Sequence, residues 1–543
     1  MRRLCVILVL LVQAALLAAQ TRTLQRRYVP IIIKGAVLPL ASFNSTEWRA
    51  FKYAQGRWQA VPFQTDQVIN GKYHHPWSGG LIDTDDELVF MPQDLGDQAV
   101  AKWYDDPTGR SATRLEFEFY DQLDPARKGW IYLYKSSQPA PAGYHNHIDA
   151  PTGTAADTIV TPFYKLGHNR DGWIDYVALA ANPKLDLIDR LKLRFAGKAT
   201  LIPGLGNYAA TEDTLNKGEC SPWPAPIRLM RDQRSKLAIP QLGFENIGID
   251  YQLTYYPASM TLGVTDAQLQ SESITVLAGV KTLRQSLDLA PAAAGMKFYS
   301  EINRSGVAID GAADAIDATL KTQTGLHWAM ASGQQGTLLL ILEMPAIKGG
   351  STKLYYRDSQ AGGTNDDTPE SGDMKSYGDM GLWAQATGTS SIATSKITMG
   401  FSMYMLPERS RDALFTDSLF IWVKQPPGVN IIEQIAPPLG VVVEGQQPQG
   451  FALSPAWPNP VTWTAGGVQW RMTAPQRVGQ VEVRIYNALG QLVRRWSTTA
   501  GDRSTVVTWD LRDESGFVAA PGCYYLQVRA NGRSATRTLQ VLR

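Results

Sequence analysis

The chain has 543 residues, of which 44% are hydrophobic and 19% are charged, and its formal net charge at pH 7 is +2. This length predicts more than one domain, and the balance of apolar and charged residues is that of a folded globular protein. The near-neutral charge excludes the dense basic surface that a nucleic-acid partner requires.

The first twenty residues have the pattern of a secretory signal peptide. Arg2 and Arg3 precede an apolar stretch over 4–19, which only Gln13 interrupts and which ends in two alanines. The stretch is too short to span a bilayer comfortably, and no later segment is apolar enough to cross one. We therefore interpret 1–20 as a signal peptide, with an uncleaved anchor as the alternative, and expect a secreted protein.

Three cysteines are present, and Cys5 would leave with the signal peptide. Cys220 and Cys523 remain, and two cysteines in so long a secreted chain do not make a disulfide framework. We expect two unpaired or structural thiols, and the sequence leaves open whether they pair with each other. No metal cluster can be built from them.

Alternation of apolar and polar residues predicts antiparallel strands along most of the chain. The clearest examples are LEFEF at 115–119, LKLRF at 191–195 and VEVRI at 481–485. A period of two places one face of a strand on a core and the other face in water. The runs WIYLY at 130–134 and FSMYM at 401–405 are typical of more deeply buried strands.

Helical patterns are scarce, being confined to 312–320 and 408–415. Asn-Gly and Asp-Gly pairs, as at Asn70-Gly71, punctuate the strands in the manner of hairpin turns. Because strands and helices do not alternate, a parallel α/β sheet is disfavoured. The predicted fold class is all-β, built from antiparallel β-sandwiches.

Composition changes near residue 425. The segment 425–450 is rich in Pro, Gly and Gln with few charges, which favours a linker. We predict a large β-sandwich region over 21–424, of one or two units, with a possible division near 198–223 where Gly and Pro cluster. A small C-terminal β-sandwich follows over 451–543, and Trp509 is the expected plug of its core.

The C-terminal segment carries short motifs in a fixed order. They are PNP at 458–460, VEVRIYNALGQLV at 481–493, VTWD at 507–510, DESG at 513–516, APGCYYLQV at 520–528 and RTLQVLR at 537–543. In this order they resemble the Ig-like domain first named from the flagellar hook-capping protein, in the form found as the C-terminal sorting domain of type IX secretion cargo. Cys523 departs from the usual aliphatic residue, and Pro521 from a small one.

This resemblance implies export across the outer membrane, followed by release or anchoring at the cell surface. An ordinary Ig-like accessory domain with no sorting role is the alternative. Two segments of the front region, GLIDTDDELVFM at 80–91 and PIRLMR at 226–231, resemble uncharacterised β-rich secreted modules that accompany such tails. No function follows from that second resemblance.

Two glycine-bearing patterns suggest sites but fit turns better. GLGNYA at 204–209 matches a dinucleotide fingerprint, yet the residues after it have the character of a loop and not of the required helix. NRDG at 169–172 with Asp175 resembles part of a calcium loop. The EF-hand spacing would place its first and last ligands on Gly167 and Ala178, which have no carboxylate. A looser calcium site is the alternative there.

Asp83, Asp85, Asp86 and Glu87 place four carboxylates within five residues, and carboxylate oxygens suit calcium. The alternative is a solvated turn before a buried strand over 88–91. The same two interpretations apply to an acidic Gly-rich loop further along. Its residues are Asn365, Asp366, Asp367 and Asp373.

Histidines and tryptophans offer two further hypotheses. A zinc site could draw on two histidine pairs and a carboxylate, which are His74, His75, His145, His147 and Asp149. Their spacing is not specific for zinc, and histidines in surface loops are the alternative. A sugar-stacking platform could draw on Trp58, Trp77, Trp103 and Trp130. Core packing is the alternative for these four.

The sequence contains none of the Gly-x-Ser-x-Gly, His-Glu-x-x-His or P-loop motifs, which weakens the commonest hydrolase and nucleotide hypotheses. We predict no cofactor, with weak support for calcium, and assign no catalytic residue, cofactor-binding residue or metal ligand. The favoured function is surface binding of an extracellular glycan or protein through the large region, with secretion machinery as a partner of the tail. A carbohydrate-active enzyme and a structural envelope or matrix component are the alternatives.

Overall fold

In a computed structural model, the chain forms two units that divide between Pro438 and Leu439. The structure describes residues 20–38, 47–74, 81–99, 114–135, 145–148, 158–169, 172–198, 207–223, 225–239, 244–267, 279–343, 350–360, 375–388, 400–434, 452–454, 456–462, 467–473, 479–499, 504–530 and 533–542. The predicted signal peptide therefore lies outside the described residues, apart from Gln20. Among the residues described, no helix is long and apolar enough to cross a membrane.

The large unit consists almost entirely of strands. Its described strands are β1 (Ile31–Lys34), β2 (Trp48–Ala54), β3 (Arg57–Val61), β4 (Gln64–Ile69), β5 (Lys72–His74), β6 (Glu87–Phe90), β7 (Arg114–Tyr120), β8 (Lys128–Lys135), β9 (Thr158–Val160), β10 (Tyr164–His168), β11 (Ile174–Leu179), β12 (Ile188–Lys198), β13 (Asn207–Ala210), β14 (Leu215–Trp223), β15 (Leu229–Ile239), β16 (Phe244–Tyr255), β17 (Ser259–Ala267), β18 (Val280–Leu289), β19 (Lys297–Ser300), β20 (Val307–Ala308), β21 (Trp328–Gly333), β22 (Gly336–Glu343), β23 (Gly350–Ser359), β24 (Ser376–Ala386), β25 (Gly400–Leu406) and β26 (Gly428–Gln434). Within the described residues, two α-helices accompany them, α1 (Ala315–Leu320) and α2 (Ala413–Lys424).

The strands of the large unit assemble into five sheets. Their strand orders are β1-β6-β4-β5, β26-β7-β8-β2-β3, β11-β10-β9, β13-β12-β18-β24-β23 and β14-β15-β16-β17-β25-β22-β21-β19-β20. Neighbouring strands run antiparallel, as in the pairing of β15 with β16 from Leu229↔Tyr255 to Ile239↔Phe244. The all-β prediction is confirmed, and both predicted helical segments contain part of a helix.

The two largest apolar cores among the described residues of this unit hold the sheets together. One lies between the β1-β6-β4-β5 sheet and the β26-β7-β8-β2-β3 sheet, where Phe90 meets Phe117 with ring centroids 5.7 Å apart. The other is larger and joins apolar side chains of the five-stranded β12-containing sheet, the nine-stranded sheet and α2. Alternation in β7 buries Leu115, Phe117 and Phe119 as predicted, but Glu116 is buried too, because Arg114 pairs with it at 3.5 Å.

The segment expected to be a linker begins with a strand. Residues Gly428–Gln434 form β26, which pairs with β7 along its whole length, and Val429 and Ile431 pack against the first core. Gly428 is required at the start of this pairing, because a Cβ there would lie 2.3 Å from the ring of Tyr120. The linker interpretation therefore does not hold for 428–434, and residues 435–450 lie outside the described part.

The small unit has the two sheets of a sandwich. Its described strands are β27 (Ala452–Leu453), β28 (Val461–Thr462), β29 (Val468–Thr473), β30 (Gln480–Asn487), β31 (Leu492–Thr499), β32 (Ser504–Trp509), β33 (Gly522–Ala530) and β34 (Arg533–Leu542). They form the sheets β27-β29-β32 and β28-β34-β33-β30-β31. The pairing of β28 with β34 is parallel, and the other pairings are antiparallel.

Trp509 occupies the centre of the small unit's core, as the sequence predicts. Its side chain is 1% exposed, and its ring centroid lies 5.3 Å from that of Tyr524. The indole N–H donates to the carbonyl of Arg512 at 2.8 Å, so its polar atom is satisfied. The β30–β31 turn contains Gly490 with a φ of +76°, a conformation that glycine adopts without steric strain.

We expect Trp509→Ala to lower the free energy of unfolding of the small unit by about 3–5 kcal/mol, because it removes one of the two buried tryptophans of a well-packed core. Hydrogen–deuterium exchange of the whole protein, followed in peptides from 480–542, measures this loss locally. Leu489→Ala is the matched control, since Leu489 is 83% exposed. Equal exchange in the two variants would contradict the assigned role of Trp509.

Candidate functional site

The most elaborate polar arrangement at a pocket of the large unit is centred on Arg228. Arg228 lies directly before β15, its residue is 0% exposed, and its guanidinium reaches the strands β4, β5 and β6. A buried charge of this kind requires partners of opposite charge, because removing it from water is costly. Two neighbouring strands of the β1-β6-β4-β5 sheet, β4 and β6, supply them.

Two carboxylates and two phenols surround the guanidinium. Its Nη2 donates to Glu87 Oε2 at 2.5 Å and to Asp66 Oδ2 at 2.7 Å, and its Nε donates to Asp66 Oδ2 at 2.8 Å. Its Nη1 donates to the hydroxyls of Tyr256 at 3.0 Å and Tyr73 at 3.5 Å. The Tyr73 ring also lies under the guanidinium, with its centroid 4.7 Å from Cζ. Arginine suits this position because its planar fork can serve several acceptors at once.

The two carboxylates respond differently to burial. Burial raises the pKa of Asp66 above its usual value, and the opposing charge of Arg228 only partly offsets this. Burial would also raise the pKa of Glu87, but Arg228 and Lys34 together hold it below the usual value. Lys34 Nζ lies 2.7 Å from Glu87 Oε1. Glu87 is therefore a fixed anion, whereas Asp66 is the carboxyl that can accept a proton more readily.

Gln64 fixes the backbone next to Arg228. Its Oε1 accepts the N–H groups of Ile227 and Arg228 at 3.1 and 2.8 Å. Its Nε2 donates to Asp66 Oδ1 at 2.7 Å. The arginine and its carboxylate partner are thus positioned by the same side chain.

The structure brings together the two segments that resemble β-rich secreted modules. Segment 80–91 contributes Glu87, and segment 226–231 contributes Arg228. The sequence could not pair them, because the partners are 141 residues apart and no spacing rule relates them. An arginine and a glutamate each next to a strongly apolar strand were the only available signal.

A small open pocket adjoins this cluster. It lies between the β4–β5 hairpin and the β14–β15 hairpin. Its lining consists of Gln64, Thr65, Asp66, Gln67, His74, Trp223, Ala225 and Met230. Asp66 is the carboxylate that belongs both to the Arg228 cluster and to the pocket, and Gln64, which is bonded to it, also lines the pocket. The strand β14 occupies residues that the sequence suggested to be a loop, and it carries Trp223 to the rim.

The acidic run before β6 serves two purposes. Asp83 Oδ1 accepts the N–H groups of Asp85 and Asp86 at 2.9 and 3.2 Å, as in a tight turn. Asp86 is buried, and its carboxylate accepts the N–H groups of Val68 and Asp83, each at 2.9 Å. The carboxylate oxygens of Asp83 and Asp86 therefore accept backbone N–H groups, whereas the Glu87 carboxylate is bonded to Arg228. The run does not converge on one cation.

The predicted zinc and sugar-stacking residues are dispersed. His147 Nε2 lies 2.6 Å from Asp94 Oδ2, whereas His74 lines the pocket, whose lining residues do not include His147. Trp130 is fully buried, and Trp58 packs edge-on against Tyr132 at 5.1 Å. Several residues of the zinc, sugar-stacking and calcium hypotheses lie outside the described residues. They are His75, Trp77, Trp103, Asp149, Asp171, Asn365, Asp366, Asp367 and Asp373.

A second group of carboxylates surrounds the buried hydroxyl of Tyr356, and no sequence motif indicates it. Burial and neighbouring Asp314 raise the pKa of Asp317 to about 7, and burial and Asp310 raise that of Asp314. Asp358 accepts the backbone N–H groups of Asp310 and two glycines. Even so, no three or more His, Cys, Asp or Glu side chains in the described ranges are arranged to hold a metal ion.

We expect Arg228→Met to destabilise the large unit by about 3–5 kcal/mol, because it leaves two buried carboxylates without their cation. Chemical denaturation of the whole protein measures the change. The matched control is Arg304→Met, whose 2.5 Å pair with Asp417 is exposed and should therefore contribute little to stability. Adding Asp66→Asn and Glu87→Gln to Arg228→Met should restore part of the loss. A loss below about 1 kcal/mol for Arg228→Met would contradict this account.

Comparison with known proteins identifies the small unit. Residues 459–534 match the family model of the FlgD Ig-like domain. No curated protein matches the chain.

Similar solved structures include an alpha-mannosidase from Enterococcus faecalis V583, with 8% identity, 90% of this chain and 55% of that chain covered, and a TM-score of 0.36. PorZ, a surface component of the type IX secretion system of Porphyromonas gingivalis, is 11% identical, and the match has a TM-score of 0.13. It covers 72% of this chain and 69% of the PorZ chain. Dimeric latent PorU from the same bacterium is 10% identical, and the match has a TM-score of 0.15. It covers 85% of this chain and 36% of the PorU chain.

The chain thus spans about half of the mannosidase. TM-scores this low support no common fold over the whole chain. The family match is independent of them and confirms the resemblance of the tail. The C-terminal unit of this protein is an Ig-like domain of the FlgD type.

Proposed function

We propose that the protein is exported to the bacterial surface or released from it, and that its Ig-like C-terminal unit is the export and attachment module. The apolar leader with its two arginines supports a first transport step across the inner membrane. The FlgD-type match over 459–534 supports the second, across the outer membrane. Secretion machinery is the partner that the proposal assigns to this unit.

An exposed apolar end of the Ig-like unit carries the proposal. Leu489 and Phe517 are 83% and 72% exposed, and Leu492 and Val518 are each about 45% exposed. The β30–β31 turn carries Leu489 and leads into Leu492, and the loop before β33, which carries Phe517 and Val518, is bonded to β31. Clusters of large exposed apolar side chains mark protein contact sites.

The loop is held rigidly against that strand. The N–H of Glu514 donates to the carbonyl of Val493 at 3.0 Å. Arg494 Nη1 donates to Asp510 Oδ1 at 2.7 Å and to the carbonyl of Arg512 at 3.1 Å. A preorganised apolar surface loses little entropy on binding, which suits it to a partner protein.

We expect Leu489→Ser combined with Phe517→Ser to reduce the surface-exported fraction about thirtyfold in a bacterium that has the type IX machinery. Loss of two exposed anchors should weaken docking by about 2 kcal/mol. Cell fractionation and immunoblotting of periplasm and surface measure the distribution, with deletion of 451–543 as the full-loss reference. Val506→Ser, an equally apolar change at a 47% exposed position of the other sheet, is the matched control. Normal export of the double variant would refute the role of this end.

For the large unit, we propose binding of a hydroxyl-rich ligand such as an extracellular glycan at the Asp66 pocket. The pocket offers a carboxyl group, an imidazole from His74 and the indole of Trp223, which together suit hydroxyls and sugar faces. Both carboxylates of the cluster are bound to Arg228, so they are better suited to holding a ligand than to attacking one. Hydrolysis of the glycan is the alternative.

We expect Trp223→Ala to weaken glycan binding about fivefold, since an aromatic contact contributes about 1 kcal/mol. Binding of the mature protein to a polysaccharide panel, with product analysis by chromatography, measures both functions. Trp457→Ala, at a 61% exposed tryptophan of the Ig-like unit, is the matched control. Release of shortened glycans would favour the enzymatic alternative, and no binding to any polysaccharide would refute this second proposal.

A further inference from the structure

A lysine lies between two aspartates in the interior of the five-stranded sheet of the large unit. Lys192 belongs to β12, Asp288 to β18 and Asp379 to β24, and these three strands are neighbours in the sheet. Lys192 is opposite Ser286, which makes Asp288 its diagonal neighbour. Asp379 follows the last pair of β18 with β24, Leu287↔Met380, and so comes next to Asp288. Side chains at these positions share one face of the sheet.

The three groups are in direct contact and are shielded from water. Their side chains are 1%, 3% and 0% exposed for Lys192, Asp288 and Asp379 respectively. Lys192 Nζ lies 2.7 Å from Asp288 Oδ2 and 3.5 Å from Asp379 Oδ2. It also donates to the carbonyl of Lys375 at 3.1 Å. The amine therefore has a fixed position between the two carboxyl groups.

The Asp288 carboxyl group is held in one orientation. Its Oδ1 accepts the backbone N–H of Tyr377 at 2.9 Å, while its Oδ2 faces Lys192. The amine nitrogen thus lies next to the group it would attack, 2.7 Å from Oδ2, and proximity of this kind lowers the barrier to a reaction between two bound groups. Water is excluded from the site, so an amide formed there would be protected from hydrolysis.

The two carboxyl groups have different electrostatic surroundings. Burial, followed by the negative charge of Asp379, raises the pKa of Asp288 to about 7, although Lys192 opposes the shift. Burial acts on Asp379 as well, but Lys192, Arg284 and Arg194 hold its pKa below the usual value. One carboxyl is thus suited to be the acid form and the other to remain an anion, which is the division of roles in acid–base catalysis.

We propose that Lys192 and Asp288 are joined in the mature protein by an isopeptide bond between Nζ and Cγ, formed within the folded chain with the help of Asp379. An ammonium proton first passes from Lys192 to Asp288, giving a neutral amine and a carboxylic acid. The amine lone pair attacks Cγ to form the new C–N bond. Asp379 accepts a proton from this nitrogen and delivers it to the departing hydroxyl group.

The products are one amide and one water molecule. The C–O bond to the hydroxyl breaks, Asp379 returns to its anionic form, and no oxidant, reductant or co-reactant is needed. The amide keeps one N–H, for which the carbonyl of Lys375 and the carboxylate of Asp379 are acceptors. Lysine amines act as nucleophiles in proteins once they are desolvated and deprotonated.

The charged side chains around Lys192 and Asp288 still have partners after the reaction. The reaction removes one cation and one anion. Arg194 remains paired with Glu212 at 3.1 Å, and Asp379 remains beside Arg284, whose Nη1 donates to Tyr355 at 2.6 Å. A buried lysine shared by two carboxylates is an expensive ion pair, and amide formation eliminates its desolvation cost.

Denaturing mass spectrometry of the purified mature protein tests the proposal. The intact mass should be lower, by the mass of one water molecule, than the mass calculated from the amino-acid sequence of the mature protein. Tryptic digestion should leave a branched peptide that joins the segments around residues 192 and 288 and is not cleaved at Lys192. A wild-type mass equal to that of the sequence, or an unbranched Lys192 peptide, would overturn the proposal; this measurement requires no variant to fold.

Variants assign the roles of the three residues. Lys192→Arg and Asp379→Asn should both have the full mass of their sequences, with a circular dichroism spectrum like that of the wild type. Lys353→Arg is the matched control and should keep the mass deficit, since Lys353 lies on β23 of the same sheet and donates to the carbonyl of Lys321 instead. A mass deficit that persists in Lys192→Arg would overturn the bond, and complete cross-linking in Asp379→Asn would overturn the role of Asp379.

Discussion

The buried guanidinium of Arg228 is the interaction on which the organisation of the large unit depends. Its carboxylate partners come from β4 and β6, whereas its own backbone leads into the nine-stranded sheet. Because a buried charge is tolerated only with opposite charges and hydrogen bonds around it, one arginine fixes the position of two sheets. The pocket next to it is formed by the hairpins that this interaction holds together.

The sheets of this unit bury charge in two different ways. At Arg228, a planar cation with several donors meets two carboxylates and two phenols, so each acceptor finds its own N–H group. At Lys192, a compact amine must serve two carboxylates and a carbonyl in a drier place. The difference in cation geometry makes the first site a stable ion cluster and the second a site suited to covalent bond formation.

The Ig-like unit separates stability from recognition. Its core is formed by alternating apolar residues of its two sheets around Trp509. The two most exposed of its large apolar residues, Leu489 and Phe517, lie in a turn and a loop outside the strands and contribute little to that core. Substitutions at this end can therefore test the proposed docking role with little effect on folding.

The sequence by itself determined the elements whose signal is local. Alternation with a period of two located strands such as β7, β12 and β30, because side-chain direction in a strand depends only on the neighbouring residues. The ordered motifs of the tail identified the Ig-like unit, and Trp509 identified its core. Tertiary structure alone decided which distant residues meet. Arg228 with Glu87, Lys192 with Asp288, and β26 with β7 are contacts between segments far apart in the chain, and no local preference encodes them. Glu116 and Glu87 look like solvent-facing residues in their strands, yet both are buried because a cation from elsewhere in the fold or from the same strand neutralises them.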